Sequence, residues 1–331
     1  MPAHCISKLK SLSGAAIAVA LMAFGMASPA HGGVTIIAGG GFYTAPTTGV
    51  YDITAFGASG GAGGLGAPSG GGAEIGGLVH LTAGQILTIS PSFAGLAGNF
   101  AGCSPVNGRC YGDGGSGGDG TFVFLGTDFF SPTATTLLAA GGGGGGGGNG
   151  AGGGGLGFSG PFADVADCYY TGSGPINYGL PGCGGYAGGA PPFQGFINAG
   201  GGAGLLGPGQ NGNGLGGYGG LSGVPGLQGG GGSLALVSCC LESFQGAGGG
   251  GGGYTGGNGG SVFPPFGSGG DGGGSYLDPS VTQLVGITGE HFGNGYVEIT
   301  SPGPTPGAGV LGFAFLILSG LWAKTRGFLS R

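Results

Sequence analysis

Positive charge is almost absent from the interior of this chain. Of six basic residues, Lys8 and Lys10 stand near the start, and Lys324, Arg326 and Arg331 near the end. Arg109 is alone between them, while all twelve acids lie from Asp52 to Glu298, so the body carries a net charge of −11. Nucleic-acid and anionic-membrane binding rest on basic patches, which excludes both for the body. A phosphate loop needs a lysine that the body lacks. Four histidines and no pair of CxxC motifs leave little for a zinc site.

What the chain has in excess is glycine, 100 of 331 residues, with 20 prolines. The stretch Ala139 to Gly157 contains an unbroken octet, Gly141 to Gly148, directly after Leu137 and Leu138. Glycine disfavours helix and leaves a strand face empty. One reading is a flexible tether. The other is an extended helix of three residues per turn, in which bare strands approach closely and pair N–H with C=O on all sides. Collagen is excluded, because its glycines recur at strictly every third place. Ordering a residue costs roughly 1–2 kcal/mol, and a hydrogen bond returns roughly 0.5–1.5 kcal/mol. Such a bundle therefore needs something to pin its ends.

The pins are short strands. Val50 to Phe56 alternates, with Tyr51, Ile53 and Ala55 on one face and Asp52 and Thr54 on the other. Leu78 to Leu81, a turn at Thr82 to Gln85, and Ile86 to Ile89 read as a hairpin. Thr121 to Leu125 is apolar on both faces, as a buried strand would be. Thr136 to Ala140 leads into the octet, and Val281 to Ile287 and Gly295 to Thr300 close the body. The fold class expected is an all-β sandwich, with an insertion of glycine helices over about 141–275.

The ends carry sorting signals. Residues 1–30 form a signal peptide, with Lys8 and Lys10 basic, Ala15 to Met26 apolar, and Ser28-Pro29-Ala30 as the cleavage site before His31. A spacer, Pro302 to Pro306, precedes an apolar helix at Gly309 to Ala323, and residues 302–331 form a tail ending in cations. Fifteen helical residues span ~22 Å, short of ~30 Å of hydrocarbon, a gap that snorkelling flanks can narrow. The basic end would stay cytoplasmic.

Seven cysteines fall to six once Cys5 leaves with the signal. Cys103, Cys110, Cys168, Cys183, Cys239 and Cys240 read as disulfide partners in an exported chain, and six cysteines allow 15 connectivities. Cys103 with Cys110 would close a short loop around Arg109, and Cys168 with Cys183 a longer one. The adjacent Cys239 and Cys240 could bond each other or reach elsewhere.

Chemical motifs are cheap in such a composition. Gly57-Ala58-Ser59-Gly60-Gly61 and Gly114-Gly115-Ser116-Gly117-Gly118 both match G-x-S-x-G, and neither is followed by a helix-forming stretch. Gly114 to Asp119 opens like a calcium nonapeptide but is not tandemly repeated. Asp113, Asp119 and Asp271 read as turn residues in solvent, with calcium a minor alternative. His80 on a strand and His291 near a turn read as structural. No catalytic, cofactor or metal residue is expected, and the chain is read as a non-enzyme.

Two resemblances add to this. The tail resembles the sorting signal of PEP-CTERM proteins, with Pro304, Thr305 and Pro306 where that family has Pro-Glu-Pro. That implies cleavage by an exosortase-type protease, transient inner-membrane anchoring through 309–323, and delivery to the cell surface or extracellular matrix. The body resembles the glycine-rich domain of the anaplastic lymphoma kinase and leukocyte tyrosine kinase receptors and of bacterial surface proteins. The matching pieces are Thr48 to Ala58, Leu81 to Gln85, Thr121 to Val123, Leu137 to Gly141 and Gly293 to Val297. That likeness covers most of residues 40–301 of the body, residues 31–301, and implies a tumour-necrosis-factor-like jelly roll bearing polyglycine-II helices. The function expected is a structural or adhesive surface protein whose partners are extracellular polysaccharide or matrix. The alternative is a peptide- or glycan-binding module, with Tyr169, Tyr170 and Phe193 at loop tips.

Overall fold

A computed structural model describes residues 32–105, 108–127, 134–148, 152, 197–213, 216–221, 228–235, 244–263 and 265–303. The chain divides into two compact units, Val34–Thr300 and a unit made of Met1–Gly33 with Ser301–Arg331. In the terminal unit the Ser301 N–H and hydroxyl both donate to the Gly33 carbonyl at 3.1 Å.

All the regular structure among the described residues is β. In chain order the strands are β1 (Val34–Ala38), β2 (Gly41–Thr44), β3 (Gly49–Phe56), β4 (Gly72–Leu81), β5 (Ile86–Ile89), β6 (Phe100–Cys103), β7 (Cys110–Gly112), β8 (Thr121–Leu125), β9 (Thr135–Ala140), β10 (Val262–Phe263), β11 (Phe266–Gly267), β12 (Tyr276–Leu277), β13 (Thr282–His291) and β14 (Tyr296–Thr300). Two five-stranded sheets carry the fold. The first runs β1-β14-β3-β4-β13 and the second β12-β9-β8-β5-β2, and every pairing is antiparallel.

Alternation decides which side chains go inside. In β3, Tyr51, Ile53 and Ala55 are fully buried, while Val50, just before them, is exposed. They join Ile75 and Val79 of β4, Val297 and Ile299 of β14, Leu87 and Ile89 of β5 and Leu138 of β9 in one apolar core between the sheets. The buried Tyr51 keeps its polar end satisfied by donating to the Thr47 carbonyl at 2.7 Å. Strand β8 is buried on both faces, as its sequence predicts, and the reason is specific. Val123 enters the core between the sheets. Phe122 and Phe124 pack on the opposite side with Ala139, Ala203 and Tyr254.

The hairpin expected across Thr82 to Gln85 is not formed. The turn is present, with the Gln85 N–H donating to the Thr82 carbonyl at 3.0 Å, but it carries the chain from one sheet to the other. Strand β4 already has β3 and β13 on its two edges, and β5 has β2 and β8. Strand β4 also begins at Gly72, six residues before the Leu78 start expected from sequence, and Gly76 and Gly77 pass close to Thr54 and Thr282. Strands β1 and β2, turned at Gly39 and Gly40 with φ of 78° and 83°, were not expected from sequence.

Ile53→Ala should cost about 2–5 kcal/mol through the cavity it leaves. Val50→Ala on the same strand should stay within about 0.5 kcal/mol. Urea unfolding of both variants checks the assigned faces.

Candidate functional site

The glycine octet sits at the centre of a lattice of extended segments. The N–H groups of Gly142, Gly145 and Gly148 donate to the carbonyls of Gly252, Gly249 and Gly246, at 2.7, 2.8 and 3.0 Å. Those of Gly143 and Gly146 donate to Ala58 and Gly61. The carbonyls of Gly141 and Gly144 accept from Ala73 and Gly70, those of Gly142 and Gly145 from Gly273 and Gly270, and those of Gly143 and Gly146 from Gly118 and Gly115. Each neighbour is met at every third residue, the repeat of a helix with three residues per turn. The octet thereby bonds in several directions at once, unlike a β-strand, which pairs on two edges.

This geometry explains an unbroken run of eight glycines. A segment at the surface needs glycine only on its inward faces, whereas one inside needs it on all of them. A methyl group at Gly141, Gly142, Gly143, Gly144 or Gly145 would overlap the carbonyl of Gly273, Gly118, Gly70, Gly270 or Gly115, respectively. All eight glycines are buried. Peripheral segments carry side chains outward, as Leu96, Tyr218 and Leu221 do.

The lattice is held by the sandwich. Residues 57–63 continue from β3, residues 113–120 run from β7 into β8, the octet continues from β9, and residues 268–274 lead to β12. The Ser275 hydroxyl accepts from the Gly141 N–H at 3.0 Å where β9 gives way to glycine. Tyr254 of the lattice stacks on Tyr276 of β12, with ring centroids 4.3 Å apart, beside Phe122 and Phe124. Away from the sheets, β6 pairs with β7, and Cys103 is disulfide-bonded to Cys110. This link joins the segments at residues 90–99 and 113–120 on the side away from β5 and β8. Cys168, Cys183, Cys239 and Cys240 lie outside the described residues, as do residues 1–30, the loop aromatics Tyr169, Tyr170 and Phe193, and the tail with Pro304, Thr305, Pro306 and 309–323.

The aspartates act as separate caps on the lattice. Asp113 accepts from the Ala235 N–H at 2.8 Å. Asp271, which is exposed, accepts from the Asn258 side chain at 3.1 Å. Asp119, expected in solvent, is instead buried: it is 8% exposed and accepts from the N–H groups of Phe93 and Gly229, which its carboxylate reaches between lattice segments. Burial pushes its pKa up to about 6, against the pull of those two donors. Among the described residues, no group of three or more His, Cys, Asp and Glu could hold a metal ion. The serines of both G-x-S-x-G matches accept backbone N–H groups, Ser59 from Gly293 and Ser116 from Leu96. His291 contacts the Gly57 carbonyl at 2.8 Å through Nδ1, and His80 is exposed.

One surface was not foreseen. On the outer side of the first sheet, register sets Tyr296 beside Phe56 and Phe56 beside Glu74. The Phe56 and Tyr296 rings stack at 4.4 Å, and His291 meets Tyr296 edge-on at 5.2 Å. Burial raises the pKa of Glu74, as do Glu298 and Glu290, while His291 lowers it. The only sequence signal was the outward position of Phe56 in an alternating strand; its ring partners, Tyr296 and His291, lie more than two hundred positions away.

No protein-family model matches the chain, and no curated protein matches it. Among the described residues, no helix is long and apolar enough to cross a membrane.

Gly145→Ala should destabilise the lattice by at least about 1–3 kcal/mol, because the obstructing atoms are backbone. Gly231→Ala, whose nearest neighbour would be the Tyr218 nitrogen at 3.2 Å, should stay within about 1 kcal/mol. Amide exchange of residues 141–148 in the two variants checks this. Asp119 binds its proton more tightly folded than unfolded, so its contribution to stability is full below about pH 4 and is lost as pH rises through about 6. Relative to Asp119→Asn, the native chain should lose about 1–3 kcal/mol between pH 4 and pH 7, read from urea midpoints.

Proposed function

We propose that this chain is a non-enzymatic, exported protein of the cell surface or extracellular matrix. Its body is a tumour-necrosis-factor-like jelly roll bearing polyglycine-II helices. The helices form a stiff slab that presents a nearly uncharged face for adhesion or packing against secreted polysaccharide. The observation that carries this reading is the period-three hydrogen bonding of a fully buried glycine octet. Stiffness follows from it, because each segment is bonded to several others and none can move alone. The signal at residues 1–30 delivers the chain across the membrane. The tail at 302–331 anchors it through 309–323 until an exosortase-type protease cuts near Pro304 to Pro306.

A second reading, a peptide- or glycan-binding module, is favoured by one observation. The stacked Phe56 and Tyr296 rings stand on the sheet face turned away from the core, with Glu74 beside them.

Co-sedimentation with secreted polysaccharide distinguishes the two. The native protein should bind, Gly145→Ala should lose most of the binding, and Phe56→Ala with Tyr296→Ala should keep it. Binding that survives Gly145→Ala and disappears with the aromatic pair would establish the module instead. Mass spectrometry of the mature protein should find an N-terminus at His31 and a C-terminus near Pro306.

A further inference from the structure

Among the described residues, the four outer strands of the two sheets differ in how well they are protected against pairing with another chain. An unpaired edge exposes a row of N–H and C=O groups, and proteins usually blunt it with short strands, bulges, charge or proline. Strand β12 has two residues. Strand β13 has register shifts between Gln283 and Val285 and between Ile287 and His291, and it carries Glu290. Strand β2 has four residues and starts at Gly41, with φ of 151°. Strand β1, Val-Thr-Ile-Ile-Ala, has none of these devices. Its five residues pair with β14 in unbroken register. Val34 and Ile36 are each 61% exposed.

Charge selects the partner. The body carries −11, so two copies repel wherever their acids face each other. From Gly32 to Tyr51 there is no ionisable side chain other than tyrosine, and β1 lies inside that stretch. The nearest acid, Glu298, sits beside Ile36 on β14. If two β1 strands met, the Glu298 side chains would be three strand spacings apart, about 14 Å. That exceeds the ~8 Å Debye length at physiological salt.

We propose that the β1 edge is a homodimer interface, in which two copies join antiparallel through β1 and make one continuous ten-stranded sheet. A two-fold axis at Ile36 pairs Ile36 with Ile36, Val34 with Ala38 and Thr35 with Ile37 of the second copy. Every pair is uncharged, and the sequence suits its own reverse. The contact is isologous, so it closes at two copies. This goes beyond the proposed surface role and does not depend on it.

Ile36→Lys is the test. In the single chain the lysine faces Glu298 and is tolerated; in the dimer two lysines meet at the axis and repel. Sedimentation of the full chain should show a dimer whose dissociation constant rises at least about tenfold in Ile36→Lys and is unchanged in Leu284→Lys on β13. The native dimer should weaken as salt is lowered. Amide protection of β1 should rise with protein concentration, while that of β13 should not, a reading that needs no variant. A monomeric native chain, an association insensitive to Ile36→Lys in a folded variant, or concentration-dependent protection confined to β13 would each overturn the proposal.

Discussion

The structure rests on backbone-to-backbone hydrogen bonds between chains too bare to hold together any other way. Ordering glycine costs roughly 1–2 kcal/mol per residue, and a net hydrogen bond returns about as much. The octet bonds to segments at 58–61, 70–73, 115–118, 246–252 and 270–273, and several of these are continuations of sheet strands. A strand that is already fixed sets the position of the first glycine after it. The remaining glycines then order at little further cost. The lattice depends on the sandwich for its ends, and the sandwich depends on the lattice to cover Phe122 and Phe124.

The two sheets consequently have different outer faces. That of the second sheet is a seam, where Tyr254 and Ala203 of the lattice meet Phe122, Phe124 and Ala139. That of the first sheet carries a stacked aromatic pair with carboxylates beside it. Its β1 margin is uncharged. A protein whose interior is mostly backbone keeps its few large side chains for these junctions and exposed faces. The same economy applies to its carboxylates. Asp113 and Asp119 are fixed to lattice N–H groups, so these two acids serve the glycine network directly.

Much of the sandwich was legible because alternation is a local property. The burial of Tyr51, Ile53 and Ala55 follows from a period of two, and the two-sided burial of Thr121–Leu125 from an unbroken apolar run. The failed hairpin shows the limit. Leu78–Leu81 and Ile86–Ile89 have a good turn between them, but pairing is a competition among all strands, and β3, β13, β2 and β8 win the available edges. The Cys103–Cys110 bond was one of several open pairings. It became definite only when β6 and β7 set those residues opposite each other. The roles of Asp119 and Phe56 were illegible for the same reason, since their partners are remote in the chain.

By itself the sequence determined that the body is strand-forming, poor in cations and interrupted by segments that can satisfy their backbone only by pairing with one another. These are consequences of side-chain chemistry and its absence, which act residue by residue. The tertiary structure decided which segment lies in the middle. Only an unbroken glycine run can be approached from every side without overlap, and approach from every side is a relation among distant parts of the chain.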